Sequence, residues 1–572
     1  MCGFIGSIGQ GWDVRRGLPW LRRRGPDGHH VWASKDTAVT LLHTRLAIVD
    51  TDPRADQPFG DASLGITIAL NGEIYNYRQL RRELAEYPFQ TESDTEVIVA
   101  AYAAHGVQGF NRLNGMFAFV VVDEPRRRVF LVRDAVGKKP LFIRQIGDRA
   151  VFSSSVLPLV ACGIDPTINP DVVDFYWRRA YVSPETSVIN GVRPILPGQV
   201  VELDWQGREI ATSRCEPSPS LLYRNEGPQE VQRNIHDLLS KSVDRRLENN
   251  PDPVALLSGG IDSTIVTQFA RDRVEKAGRS RPLKVLTLGA LVPYTQDEFY
   301  ARYAARRLGI QLHMISIGNR PLFNSISRAL SVQDEPLGMP AYFLLYQMVE
   351  AAAQRGRVLL TGDGGDEVFL GYRPPADWRS HNLLSLEEPP FVKVGPGPAD
   401  WMATWARDVT GSTLLGHMFA KADRASAEQG VEVRCPLLDW SLFCYVRSVP
   451  YSILAGNGGL KPLLKAQLSN WPRWFLDRPK LGFAFSLRWR WALSRFDGLR
   501  EAVKDEVIET FGGFVPRELR GSSRCWSTKA IINHFGEAWR LLVWSAFLDR
   551  LSEAARGRET VVRAWPVRLA GR

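Results

Sequence analysis

The 572-residue sequence has little of what marks exported, metal-stapled or membrane-spanning proteins. It contains six cysteines, Cys2, Cys162, Cys215, Cys435, Cys444 and Cys525, none in Cys-x-x-Cys spacing. Neither a zinc site nor a disulfide framework is indicated, and reduced thiols are expected. No apolar run approaches the ~20 residues that cross a bilayer, and the start lacks a basic segment followed by an apolar core. A cytoplasmic protein without a membrane partner is expected. Repeats and low-complexity tracts are missing too. The formal charge of +10 is spread out, with small clusters at 22–24, 126–128 and after Arg556. No basic stripe interleaved with aromatics appears, which argues against nucleic acid.

What is present is an ordinary globular composition, 44% hydrophobic and 23% charged, over a length that suits two to four domains. Residues 2–210 read as many short strands (38–42, 65–70, 116–122, 129–132, 150–152) with helices near 77–86 and 94–105, a pattern of stacked sheets with flanking helices. The polar stretch Cys215-Glu216-Pro217-Ser218-Pro219-Ser220 reads as a linker, placed at 211–229. From 230 to 552 the rhythm changes. A helix at 230–248 precedes strands at 254–257, 283–288, 313–317 and 358–360 that alternate with helices, which implies a parallel, doubly wound sheet. The part after Tyr372 reads as helical and tryptophan-rich, 389–398 as a mobile loop, and 553–572 as a basic tail.

Cys2 is the most pointed single residue. If Met1 is removed, it carries a nucleophilic sulfur and a free α-amine that titrates near ~7.7–8.0, so nucleophile and base sit in one residue. A second signal lies at the end of strand 254–257, which runs into Ser258-Gly259-Gly260-Ile261-Asp262-Ser263 and a helix. Glycines admit an anion close to the backbone, and helix-start N–H groups and serine hydroxyls supply donors. Strand 358–360 ends in a companion loop, Thr361-Gly362-Asp363-Gly364-Gly365-Asp366-Glu367. One loop for phosphate beside one dense in carboxylates suits Mg²⁺, which takes one or two carboxylates plus phosphate oxygens; Asp262 and Asp366 are the expected ligands.

The Ser-Gly-Gly-x-Asp-Ser loop resembles the pyrophosphate loop of ATP pyrophosphatases. The wider set of blocks resembles the glutamine-hydrolysing asparagine synthetase family: Met1-Cys2-Gly3, Arg24-Gly25-Pro26-Asp27-Gly28, His43 to Asp50, Asn71-Gly72-Glu73-Ile74-Tyr75-Asn76, Ser93-Asp94-Thr95-Glu96, Arg133-Asp134 and Gly137 to Leu141 in the first half. In the second half the blocks are Leu256 to Ser263, Asp297-Glu298, Asp334-Glu335-Pro336, Thr361 to Tyr372, Asp423-Arg424, Glu432 to Asp439, Lys461 and Arg478-Pro479-Lys480.

The resemblance implies an N-terminal-nucleophile glutaminase sandwich followed by an ATP-pyrophosphatase domain. It implies that Cys2 attacks glutamine, that the Asn71 side chain and Gly72 N–H bind the oxyanion, and that Arg45 and Asp94 hold the α-carboxylate and α-ammonium. Leu46, Ala47, Ile48, Val49 and Glu73 complete the expected glutamine site. ATP is expected at Leu256, Ser258, Gly259, Gly260, Asp262, Ser263, Leu288, Thr361 and Gly362. Lys461 would neutralise phosphate charge, Asp363 would act as general base, and ammonia would cross an apolar tunnel to a carboxylate activated as an acyl-adenylate. Aspartate is the default acceptor; another carboxylate, on a sugar, peptide or other metabolite, is the alternative. A homodimer is compatible with the resemblance.

One segment departs from the family's usual pattern. After Asp334-Glu335-Pro336, where small and hydroxylated residues commonly help form the acceptor pocket, this sequence has Leu337-Gly338-Met339-Pro340-Ala341-Tyr342. Met, Pro and Ala side chains offer no donors to a free amino acid.

Overall fold

A computed structural model describes residues 1–248, 252–278, 282–289, 296–316, 319–371, 418–456, 460–478 and 497–557. The 389–398 segment, Lys480, Tyr372 and most of the basic tail lie outside the described residues.

The first half holds twelve strands: β1 (Gly3–Ile8), β2 (Gly28–Ala33), β3 (Val39–Arg45), β4 (Phe59–Asp61), β5 (Ile66–Ile74), β6 (Gly115–Asp123), β7 (Arg128–Arg133), β8 (Phe142–Ile146), β9 (Arg149–Ser153), β10 (Arg193–Pro194), β11 (Gln199–Asp204) and β12 (Glu209–Arg214). They form two antiparallel sheets, ordered β10-β8-β9-β1-β3-β2 and β12-β11-β7-β6-β5-β4. Alternation explains the layering. Along β6, Ala118, Val120 and Val122 face the other sheet with Phe4, Leu41 and Phe152, whereas Phe117, Phe119 and Val121 pack with Val97 and Ile98 of the helix Glu96–His105. Because both faces are buried, these strands read as continuous apolar runs. The result is two stacked antiparallel sheets between helical layers.

Strand β12 ends at Arg214, and the next helix, Pro228–Leu247, opens the second half. There the sheet is parallel, β13 (Pro253–Leu256), β14 (Lys284–Gly289), β15 (Leu312–Ser316), β16 (Val358–Leu360) and β17 (Glu432–Arg434), ordered β15-β14-β13-β16-β17. Strand β17 corrects the reading of everything after Tyr372 as helical. Its three residues are too few for periodicity to register, and β16 supplies its pairing. The central neighbours β13 and β16 bring the two loops at their carboxyl ends together.

The halves share one core, in which Ile5, Val156 and Tyr176 join a cluster that runs on to Leu438 and Trp544. Asp334 reaches across to accept from the N–H groups of Val156 (2.8 Å) and Leu157 (2.9 Å) at the start of the helix Leu157–Ala161, a cap of about 1 kcal/mol. Glu335 accepts from the Val188 N–H at 3.1 Å and pairs with Arg424 at 2.9 Å. Leu337 bridges to Tyr181, and the Gly338 N–H donates to the Ala180 carbonyl at 2.6 Å. Leu337 and Tyr342 are fully buried. The start of the Leu337–Tyr342 segment thus packs against the first half, where apolar side chains serve better than hydroxyls, and its residues do not display a donor-lined acceptor wall.

Candidate functional site

The first site forms where β1 begins. Because Gly3 pairs with Thr44 across β1 and β3, Cys2 falls opposite the end of β3. Its Sγ accepts from the Leu46 N–H at 3.3 Å. Burial pushes the thiol pKa up. The terminal amine belongs to Met1, which is itself buried; burial pushes that amine down to about 5. Arg24 donates to the Cys2 carbonyl at 3.2 Å and grips Asp423 of the second half with two 3.0 Å bonds.

Asn71 lies in β5, fully buried, and neither atom of its side-chain amide has a hydrogen-bond partner among the described residues. Gly72 follows at φ +146°, and a Cβ there would stand 2.0 Å from the Met116 carbonyl, so only glycine fits. Glu73 ion-pairs with Arg434 of β17 at 2.6 Å. Asp94 accepts from the Ile74 N–H at 2.8 Å, and burial raises its carboxyl to about 6. Asn71, Gly72, Glu73 and Asp94 therefore lie together at the end of β5, whereas Arg45 is engaged elsewhere. It donates to the carbonyls of Asp50 and Asp52 and pairs with Asp56. Ala47 is held by Asp27, which accepts its N–H at 2.8 Å, and Arg357 of the second half clamps that aspartate. Ile48 and Val49 continue the loop half-buried.

The second site lies at the ends of β13 and β16. Ser258 Oγ and Ser263 Oγ are 3.0 Å apart and fold the glycine loop on itself. Gly259 has φ +77°, and a Cβ would meet the Ala301 nitrogen at 2.4 Å. The two loops touch, because a Cβ on Gly362 would lie 2.6 Å from the Ser263 nitrogen. Leu256 is buried and Leu288 half-buried at the ends of β13 and β14. Lys461 places its ammonium 2.6 Å from both Asp262 Oδ2 and Asp366 Oδ1. Burial opposes its charge, yet these carboxylates push its pKa up. The donor set fits a divalent cation, since two carboxylates from separate loops already meet at one positive charge. No cluster of three or more metal-ligating side chains exists among the described residues.

Asp363 accepts from the Thr361 hydroxyl at 2.8 Å and lies 3.4 Å from the Lys421 ammonium. The Thr361 N–H donates to the Arg434 carbonyl at 3.1 Å. Arg434 therefore touches the loop of the second site with its backbone and Glu73 of the first with its side chain. A small cavity of about 20 Å³, room for roughly one water, lies between, with Met1, Tyr75, Met116 and Lys139 on one side and Phe419, Asp423 and Cys435 on the other. Its lining is mixed, with lysines and an aspartate among apolar side chains.

Arg434, inside a quoted block, and Lys421, two residues before one, carried no role in the sequence reading, and only the fold brings them to Glu73 and Asp363. Arg478 is a third. Its guanidinium reaches the Ser258–Ser263 loop, 3.1 Å from where a Cβ on Gly260 would stand.

Residues 1–214 match the family model of the glutamine amidotransferase domain, and residues 234–548 match that of asparagine synthase. Glutamine-hydrolysing asparagine synthetase 2 of Bacillus subtilis is 30% identical over 560 residues, covering 85% of this chain and 72% of the relative. Asparagine synthetase 1 of the same organism is 26% identical over 564 residues, with 85% and 87% covered. Amidase chry2 of Gibberella zeae is 24% identical over 537 residues, with 77% and 79% covered. More than half of the chain lies within the asparagine synthase match alone. The chain belongs to the asparagine synthase family and is an enzyme of that class, with a glutamine amidotransferase domain ahead of the synthase domain.

Proposed function

We propose that this enzyme transfers ammonia from glutamine to a carboxylate activated by ATP, with aspartate as the default acceptor and asparagine, glutamate, AMP and pyrophosphate as products. The observation that carries the reading is the seam between the two sites, where Arg434 pairs with Glu73 through its side chain and accepts from the Thr361 N–H through its carbonyl, beside a small cavity lined by Met1 and Cys435. Ammonia, which protonates easily, and an activated acyl group both have to be kept from bulk water, and a closed seam between the sites serves that need.

In this reading, removal of Met1 frees the Cys2 amine and vacates the head of the cavity. Cys2 sulfur then attacks the glutamine amide carbon. A C–S bond forms, ammonia leaves with the thiol proton relayed by the amine, and water releases glutamate from the thioester. The unpartnered Asn71 amide and the Gly72 N–H would receive the oxyanion. One such donor contributes about 2.7–4 kcal/mol to transition-state stabilisation. Arg45 and Asp94 would bind the two charged ends of the amino acid.

At the second site the acceptor carboxylate attacks the α-phosphorus of ATP and pyrophosphate leaves. Ammonia then attacks the acyl carbon, AMP departs, and Asp363 takes the proton. Asp262 and Asp366 would hold Mg²⁺, which when bound neutralises phosphate charge. Lys461, released from those carboxylates, would turn to the phosphates as a mobile point charge.

The segment from Leu337 to Tyr342 supports a second reading, in which the acceptor is a carboxylate other than free aspartate. Its buried leucine and tyrosine and its donor-poor Met339, Pro340 and Ala341 give an amino acid few partners. Incubation with amide-labelled ¹⁵N-glutamine, ATP, Mg²⁺ and aspartate separates the two. Labelled asparagine with equal AMP and pyrophosphate is expected. Glutamine and ATP consumed only with another carboxylate would remove aspartate, and no turnover with any acceptor would remove the reading altogether.

A further inference from the structure

The three aspartates of the loop after β3 treat Arg45 differently. Asp50 and Asp52 offer it backbone carbonyls while their carboxylates are spent elsewhere: Asp50 accepts from the N–H groups of Asp52 and Glu92, each at 2.8 Å, and Asp52 pairs with Arg54 at 2.9 Å. Asp56 alone turns its carboxylate onto the guanidinium. The two carbonyls already orient Arg45, so the added carboxylate mainly cancels its charge.

We propose that Asp56 is a specificity-determining residue, an internal carboxylate that competes with the substrate's α-carboxylate for Arg45 and sets how strongly the glutaminase site favours a carboxylate-bearing amide. This rests on the reading of Arg45 as the carboxylate partner of glutamine. The geometry gives the competitor somewhere to go. His30 Nε2 on β2 lies 3.1 Å from Asp56 Oδ2, so a carboxylate that leaves Arg45 keeps a partner. Only the side chain needs to rotate. The next residue, Gln57, is pinned on both sides of its amide, accepting from the Leu70 N–H at 2.6 Å and donating to Thr95 Oγ1 at 3.1 Å. Asp56 remains 29% exposed against 8% for Arg45, so water can solvate the displaced carboxylate while the guanidinium stays in the site.

The test compares glutamine with its α-amide, L-glutaminamide, in the full-length enzyme. Asp56→Asn is expected to lower the KM for glutamine about three- to tenfold, the range for losing one partly exposed competing ion pair. The KM for glutaminamide, kcat and ammonia-dependent synthesis stay put, the last reporting intact folding. Asp56→Ser should move KM the same way. A KM for glutamine that rises, or does not move, in both variants overturns the proposal, because Asp56 then braces Arg45 or is idle. Arg45→Gln separates this from failure of the underlying reading. If it weakens glutamine selectively, Arg45 is the carboxylate partner whatever Asp56 does; if glutamine and glutaminamide suffer alike, that reading falls.

Discussion

The two ends of the shared seam wait for substrate in opposite electrostatic states. At the first, the proposed nucleophile and oxyanion donor are buried and uncharged: the Cys2 thiol, whose pKa burial raises, and the unpartnered Asn71 amide. At the second they are charges closed on one another, Lys461 between Asp262 and Asp366 and Lys421 beside Asp363. A neutral donor can stand unpaired in a buried pocket at the cost of a lost hydrogen bond. A buried charge cannot, and needs a partner until the substrate supplies one. Substitutions at the first end should therefore remove chemistry and leave the fold alone, whereas those at the second should disturb both.

The largest expected effect separates the two ends outright. Cys2→Ala should reduce glutamine-dependent synthesis to background and leave ammonia-dependent synthesis near the parent rate, with an unchanged unfolding midpoint. Loss of both activities in a folded protein would mean that the ends do not work independently. Next is Lys461→Met. It leaves two carboxylates facing each other in a site that is only about one-fifth exposed, for which a loss of about 3 kcal/mol of stability is expected, together with loss of ATP–pyrophosphate exchange. Adding Asp262→Asn should recover part of the stability and none of the exchange. A Lys461→Met protein as stable as its parent would break the comparison.

Asn71→Ala tests the other side. Glutaminase kcat should fall about 10²- to 10³-fold, the usual effect of deleting one oxyanion donor. Stability measured by urea unfolding should stay within about 1 kcal/mol, because the amide it removes has no partner to lose. A stability loss of the size expected for Lys461→Met would show that Asn71 holds structure rather than waiting for an oxyanion.

The two ends were also unequally legible in the sequence. The glycine loops stood out because a turn rich in Gly, Ser and Asp at the end of an apolar strand is a local feature, and so is a cysteine at position 2. The continuation of β5 was not. Asn71-Gly72-Glu73 looks like a turn that ends a strand at Leu70, yet pairing of Asn71 with Ala118 and Glu73 with Met116 carries the strand to Ile74. What makes an acidic residue tolerable there is Arg434, 361 positions away. Strand β17 hid for the same reason, since three residues show no periodicity and their pairing with β16 is a tertiary fact. In the pairs Arg24–Asp423, Asp27–Arg357 and Lys421–Asp363, likewise, at least one partner belongs to a recognisable motif, but only packing connects the two.

The smallest effect exploits the dryness of the first end through pH. His43, in β3 two residues before Arg45, is fully buried and shares a 3.0 Å hydrogen bond with the Leu70 carbonyl beside Asn71. Its other ring nitrogen has no partner among the described residues. Burial lowers its pKa from 6.5 to about 4, so the folded state binds this proton less readily than the unfolded chain. The stability it contributes is full above pH 6.5 and is lost as pH falls toward 4, with about 2 kcal/mol gone between pH 7 and pH 5. His43→Gln keeps a donor for Leu70 and has nothing to titrate. Unfolding midpoints followed from pH 7 to pH 5 should drop more steeply for the parent than for this variant. Parallel profiles would mean that acid enters the molecule elsewhere than at His43.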